Sequence, residues 1–172
     1  MDVDWRLNIY AEVDDVRKED PDIVIVATGG IPDFNHVKGG DLCVSSWDTI
    51  SLNAKLGDDV LIYDGTGRHS APTAADVLTR KDKKIQYFSV DDVVAKELAY
   101  GERIIWKKRF AEDKIAFFGD HSLMSVERVG NAKVAKLRCD LTEEILEISA
   151  SDIVLETGIL PTSKLFDDLR FE

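Results

Sequence analysis

Metal-ligating side chains are scarce in this sequence. Its 172 residues include two cysteines and three histidines. Cys43 and Cys139 stand apart from each other and from His36, His69 and His121. No CxxC pair is present, and no zinc-type or iron–sulfur-type ligand spacing. The two thiols are expected to be free and at least half-buried. Positive charge is also short: 22 Lys and Arg face 33 Asp and Glu, for a net charge of −11. Nucleic acid and anionic membrane both require a basic face, so neither is expected as a partner. Apolar runs are brief. Ile23-Val24-Ile25-Val26-Ala27 is far short of the ~20 residues that span a bilayer. The opening Met1-Asp2-Val3-Asp4 is acidic, unlike a signal or transit peptide, so the expected compartment is the cytoplasm. What remains, 44% hydrophobic and 32% charged, is the composition of a globular chain long enough for one sizeable core or two small lobes.

The stretch that organises the chain is Asp59-Val-Leu-Ile-Tyr-Asp64-Gly65-Thr66-Gly67-Arg68-His69-Ser70-Ala71. An apolar run stops at a glycine-rich turn. Ala71, Ala74, Ala75, Val77 and Leu78 then recur at helical spacing, with Pro72 in the first turn and Ser70 or Ala71 as the cap. Strand, glycine turn and helix form the phosphate site of parallel α/β domains, because the helix N-terminus offers free amides and partial positive charge. The pattern is degenerate here. Ser70 replaces the third small residue of GxGxxG, Arg68 and His69 are bulky, and Asp64 sets a like charge beside any phosphate. A tight turn that binds nothing fits the same residues. Residues 84–90 form the second strand of this βαβ unit. Asp91 and Asp92 then stand where a dinucleotide fold holds a ribose, or where acids cap a following helix at 93–99.

Elsewhere, residues 7–11 alternate as a short strand, and 12–20 read as a loop or one helical turn. The run at 23–27 reads as a strand buried on both faces. A short strand at 42–44 and a serine-capped helix opening at 45–50 lie in a connector, 33–58. A helix over 102–112 turns Ile105, Trp106, Phe110 and Ala111 inward, and 115–118 is a further strand. Residues 123–129, 133–138 and 144–148 alternate and form an antiparallel meander, with a hairpin turn at Gly130-Asn131. Two stretches are twins: Asp22-Ile-Val-Ile-Val-Ala-Thr-Gly-Gly-Ile-Pro and Asp152-Ile-Val-Leu-Glu-Thr-Gly-Ile-Leu-Pro. In both, an apolar strand ends in Thr-Gly, with Pro four residues after the Thr. Twin turns bracketing a βαβ unit and a meander suggest one domain inserted into another.

Four segments carry a resemblance to a known family. They are the first twin, Ser45-Ser46-Trp47-Asp48, Val60-Leu61-Ile62-Tyr63-Asp64 with its glycine turn, and Thr157-Gly158-Ile159-Leu160-Pro161. Together they resemble the C-terminal part of the trimethylamine dehydrogenase / 2,4-dienoyl-CoA reductase family of NADH:flavin oxidoreductases, which includes N-methylproline demethylases. The resemblance implies a missing barrel domain or subunit carrying FMN, an iron–sulfur cluster and the catalytic residues. Behind it would lie an FAD- or ADP-type domain and a nested NAD(P)-type domain. By this likeness Gly65, Thr66 and Gly67 would face a pyrophosphate, and Thr28 and Gly29 would lie where the outer domain's nucleotide meets the crossover. Asp91 would be a poor ribose acid, since the family's acidic position falls nearer Ser89. No residue matches a catalytic role.

The expected fold is therefore α/β: a Rossmann-like domain with a parallel sheet, a βαβ unit and an antiparallel meander, flanked by strands of a second, FAD/ADP-type domain. The expected boundaries are 1–32 with 152–172 for the outer segments, 33–58 for the connector and 59–151 for the inserted domain. The expected function is that of a nucleotide-binding-type portion of a flavin oxidoreductase, not catalytic alone, with weak or absent ADP, FAD or NAD(P) binding. The rival is a non-catalytic scaffold with a decayed nucleotide site, and self-association into a homo-oligomer stays open.

Overall fold

The apolar runs at 60–63 and 153–155 and the largely apolar stretch 85–88 become adjacent strands of one sheet. The computed structural model describes residues 2–170. In chain order the elements begin with α1 (Val13–Lys18), β1 (Gly30–Pro32), a 3-10 turn (Gly40–Leu42), β2 (Val44–Ser45) and α2 (Ser46–Ile50). The βαβ unit is β3 (Asp59–Asp64), α3 (Ser70–Thr79) and β4 (Lys84–Ser89), followed by α4 (Tyr100–Glu112) and β5 (Ala116–Phe118). The meander is β6 (His121–Val129), β7 (Ala132–Cys139) and β8 (Ile145–Ala150). It leads into β9 (Asp152–Glu156), β10 (Ile159–Pro161) and α5 (Lys164–Arg170).

The parallel sheet has the order β2-β9-β3-β4-β5, and the antiparallel sheet the order β6-β7-β8. Successive strand residues face opposite ways, so both faces of β3 find apolar cover. Val60 and Ile62 pack with Tyr87 and Val154 against Ala71, Ala74, Ala75 and Leu78 of α3 and Trp106 and Phe110 of α4. Leu61 and Tyr63 pack with Phe88, Ile153 and Leu155 against Leu123, Val126, Ala135 and Leu137 of the meander. Each of the Val, Leu, Ile and Phe side chains contributes roughly 1.5–3 kcal/mol on burial. Helices cover one face and the antiparallel sheet the other, which is why β3 and β9 read as continuous apolar runs. Lys133 in β7 is buried and donates to Asp152 at the start of β9 (2.8 Å), and the other Asp152 oxygen accepts the Gly57 amide (2.7 Å).

Contacts divide the chain into a continuous unit, residues 32–158, and an end unit built from residues 1–31 and 159–172. Met1, Phe171 and Glu172, which the sequence places in the outer segments, lie outside the described residues. In the end unit β1 pairs with β10, and Thr162 donates its amide to the Gly29 carbonyl (2.9 Å). A Cβ at Gly30 would lie 2.4 Å from the Leu160 carbonyl oxygen, so only glycine permits this approach. Arg6 pairs with Asp4 and, through two bonds, with Glu19.

Several expectations need correction. Residues 23–27 form no strand, and Ile23 (81% exposed) and Ile25 (87%) lie open. Apolar sequence alone cannot make a strand, because each backbone N–H and C=O needs a ladder partner, and the described residues supply none here. Residues 7–11 are irregular for the same reason. The strand 152–156 does not join 23–27: it lies between β2 and β3, with Ile62 opposite Val154. The expected boundary at 151/152 therefore moves to the far end of β9, and the stretch 33–58 supplies β2 and α2 to the continuous unit, where α2 packs on α3. Residues 93–99 are a series of turns and not a helix. Ala95 adopts φ +58°, and the Glu97 amide donates to the Gly67 carbonyl, so the segment is pinned to the glycine turn. In α4, Trp106 and Phe110 alone turn fully inward, while Ile105 is 54% exposed and Ala111 is exposed.

Candidate functional site

Strand β3 is flanked by β4 and β9. Its connection through α3 leads to β4 and then, through α4, to β5, whereas β9 and β2 lie on its other side. The carboxyl ends of β3 and β9 are thus a topological switch point, where open α/β sheets place a ligand crevice. Asp64, Gly65, Thr66 and Gly67 stand at the end of β3, and Glu156 and Thr157 at the end of β9.

Asp64 is fully buried. Its Oδ1 accepts the amides of Thr66 (3.0 Å) and Gly67 (2.9 Å) and the Thr66 hydroxyl (3.2 Å). Its Oδ2 accepts the Tyr87 hydroxyl at 2.7 Å. The Gly65 amide donates to the Glu156 carbonyl at 2.7 Å. Burial pushes the Asp64 carboxyl above the ordinary carboxylate range, while the bonds from Tyr87, Thr66 and Gly67 pull the other way. Burial, and then the facing Asp64, push Tyr87 well above the usual phenol range.

Two further carboxylates face the turn. Glu156 is buried, accepts the Ser46 hydroxyl and is pushed up in pKa by burial, with Asp64 adding to the shift and Arg68 opposing it. Asp91 is also pushed up, first by desolvation and then by Asp64 and Glu97. Its carboxylate lies against Gly67: a Cβ there would sit 2.5 Å from Asp91 Oδ2, at φ +62°. Ser89, at the end of β4, is buried, donates to the Asp64 carbonyl and accepts the Asp91 amide.

Of the residues singled out from sequence, Gly65, Thr66, Gly67 and Asp91 come together at this crevice. Thr28 and Gly29 belong to the end unit, where the Thr28 hydroxyl donates to the Thr162 carbonyl. The cap of α3 is His69, not Ser70 or Ala71, and it makes no side-chain cap bond. Its Nδ1 instead accepts the Trp106 indole N–H (3.4 Å). Sequence reasoning overlooked Tyr87, Glu156 and Ser46. Tyr87 stands opposite Ile62, two residues before Asp64, in a register that the sequence does not print. Among the described residues no group of three or more His, Cys, Asp or Glu is placed to hold a metal ion.

A dinucleotide is the group this fold implies, and the turn does not fit one. A pyrophosphate is cradled by outward amides at a helix N-terminus. Here the amides of residues 65, 66 and 67 already end on Glu156 and Asp64. The side chains around them are mainly acidic.

The fold is mixed α/β, with a parallel sheet of five strands and an antiparallel sheet of three. No protein-family model matches the chain. It is 30% identical over 171 residues to a probable N-methylproline demethylase of Rhizobium meliloti, covering 99% of this chain and 25% of that protein. It is 31% identical over 172 residues to a multifunctional alkene reductase/demethylase OYE of Caballeronia cordobensis, covering 99% of this chain and 26% of that protein. Among solved structures, 6-hydroxypseudooxynicotine amine oxidase of Pseudomonas geniculata superposes with a TM-score of 0.82 at 25% identity, covering 95% of this chain and 25% of that one. Over nearly its whole length the chain is similar to the C-terminal part of these demethylase and amine dehydrogenase relatives. It spans about a quarter of the length of the curated relatives it matches. No helix among the described residues is long and apolar enough to cross a membrane.

Proposed function

We propose that this chain is the nucleotide-binding-type C-terminal portion of an NADH:flavin oxidoreductase-like amine dehydrogenase or demethylase. FMN, an iron–sulfur cluster and the catalytic residues belong to a barrel outside it, and its end unit is part of an FAD- or ADP-type domain. The observation that carries this reading is the end-to-end likeness to one quarter of a demethylase. The end unit supports it, since none of its described residues is buried and Ile9, Val16, Ile23, Val24 and Ile25 line an open groove. A polypeptide without a core does not hold a fold by itself, so these side chains call for cover from the rest of the parent enzyme. A chimera tests it: this chain replaces the corresponding quarter of the R. meliloti relative. The expected product is soluble and flavin-bearing, whereas this chain alone is colourless and does not oxidise NADH. An insoluble chimera, or a flavin spectrum that survives gel filtration of this chain alone, contradicts the proposal.

The crevice favours a second reading for the continuous unit, that of a packing domain whose nucleotide site has decayed. The amides held by Asp64 are the observation behind it. ADP or NAD is then expected to bind with a dissociation constant of roughly millimolar, about −4 kcal/mol. Calorimetric titration measures this, and micromolar binding that Gly67→Val abolishes would refute the packing reading.

A further inference from the structure

We propose that Asp64 closes the glycine turn to phosphate by taking the turn's own amides as ligands, and so denies this dinucleotide-type element a dinucleotide. The inference rests on reading β3, the turn and α3 as such an element. A phosphate cradle works because successive amides converge on one anionic oxygen. Here the amides of Thr66 and Gly67 converge on one oxygen as well, but it is Oδ1 of a fully buried side chain in the same turn. Oδ1 also accepts the Thr66 hydroxyl, so it already holds three donors. The other oxygen is held by Tyr87, itself fully buried, so the carboxyl group cannot swing aside without uncovering a second polar group. Gly65 offers no substitute amide, because its N–H is held by the Glu156 carbonyl. An arriving diphosphate would also meet Asp91 against Gly67 and Glu156 across the crevice, with Arg68 as the opposing cation. The turn is a phosphate cradle that carries its anion in its own sequence.

Amide-resolved NMR on the whole chain, with inorganic pyrophosphate and ADP as probes, tests this. In the wild-type chain the Thr66 and Gly67 amides should exchange slowly and stay unmoved at ~0.1 mM probe, well below the roughly millimolar constant expected and saturating for a micromolar site. In Asp64→Ala they should lose that protection and shift with pyrophosphate, with affinity raised roughly tenfold or more. Asp64→Asn keeps an acceptor and removes the charge, so it should retain slow exchange and gain less, about threefold at most. If Asp64→Ala does not fold, the wild-type and Asn measurements decide alone. Wild-type amides at 66 and 67 that already respond to micromolar pyrophosphate overturn the closure and leave the nucleotide-type reading standing. A folded Asp64→Ala with freed amides and no gain in binding overturns both.

Discussion

The two twin stretches begin with the same Asp-Ile-Val and end in opposite states. In the second, Ile153, Val154 and Leu155 are at most 1% exposed and hydrogen-bonded between β2 and β3. In the first, Ile23, Val24 and Ile25 are 81%, 43% and 87% exposed and pair with nothing described. Local propensity is matched, so the difference lies in what surrounds each run. Around β9 stand strands on both edges, helices on one face and a meander on the other. Around 23–27 stand α1 and an open groove. β-propensity expresses fit to a pleated, half-buried surface, and a run that finds no such surface is left extended and exposed.

The sharpest way to break this comparison is to place a charge in each twin. Val154→Asp buries an unpaired carboxylate in a site with no exposure and should cost more than about 4 kcal/mol, enough to unfold the continuous unit. Ile25→Asp lands on open surface and should stay within about 0.5 kcal/mol. Urea unfolding of both variants measures the contrast, and equal losses would erase it. Next in size is Lys133→Ala, which strands Asp152 beside β9. About 2 kcal/mol is expected, below the cost of breaking a fully buried pair, since Asp152 keeps some exposure and Gly57 still donates to it.

How much of this was legible in the sequence follows from the same contrast. β3 was legible as a short apolar run bounded by turns, and α3 and the meander because their periods of 3.6 and two match the faces they bury. Ser45 was legible as a cap: its hydroxyl accepts the Asp48 amide. The fate of 23–27 was not legible, since a strand's identity depends on edges supplied from elsewhere. The neighbours of β9 were misread because a repeated turn motif suggested a shared sheet, whereas the motif ends themselves, β1 and β10, pair with each other. The glycine turn was legible as a turn. That its amides point at Asp64 was not, because spacing does not reveal which way an N–H faces.

Two smaller effects sharpen the account. Asp64 titrates above its unfolded value when folded. Between the unfolded pKa, about 3.9, and that raised value, the native state holds a proton the unfolded state has lost, so stability falls as pH rises through the window. Asp64→Asn should flatten that fall, read as the slope of the unfolding midpoint from pH 4 upward, and an unchanged slope would exclude Asp64 as its source. Smallest is Ser45→Ala, which removes the cap of α2 and should cost about 1 kcal/mol by urea unfolding.

Residues 32–158 form one closed α/β unit, whereas the described residues of the two chain ends include none that is buried. Hydrogen exchange on the isolated chain tests it most directly, since protection reports whether an amide has a lasting partner. Amides 153–155 should exchange only through global unfolding of the continuous unit, and amides 23–27 at nearly the rate of an unstructured peptide. Protection of 23–27 equal to that of 153–155 would contradict it.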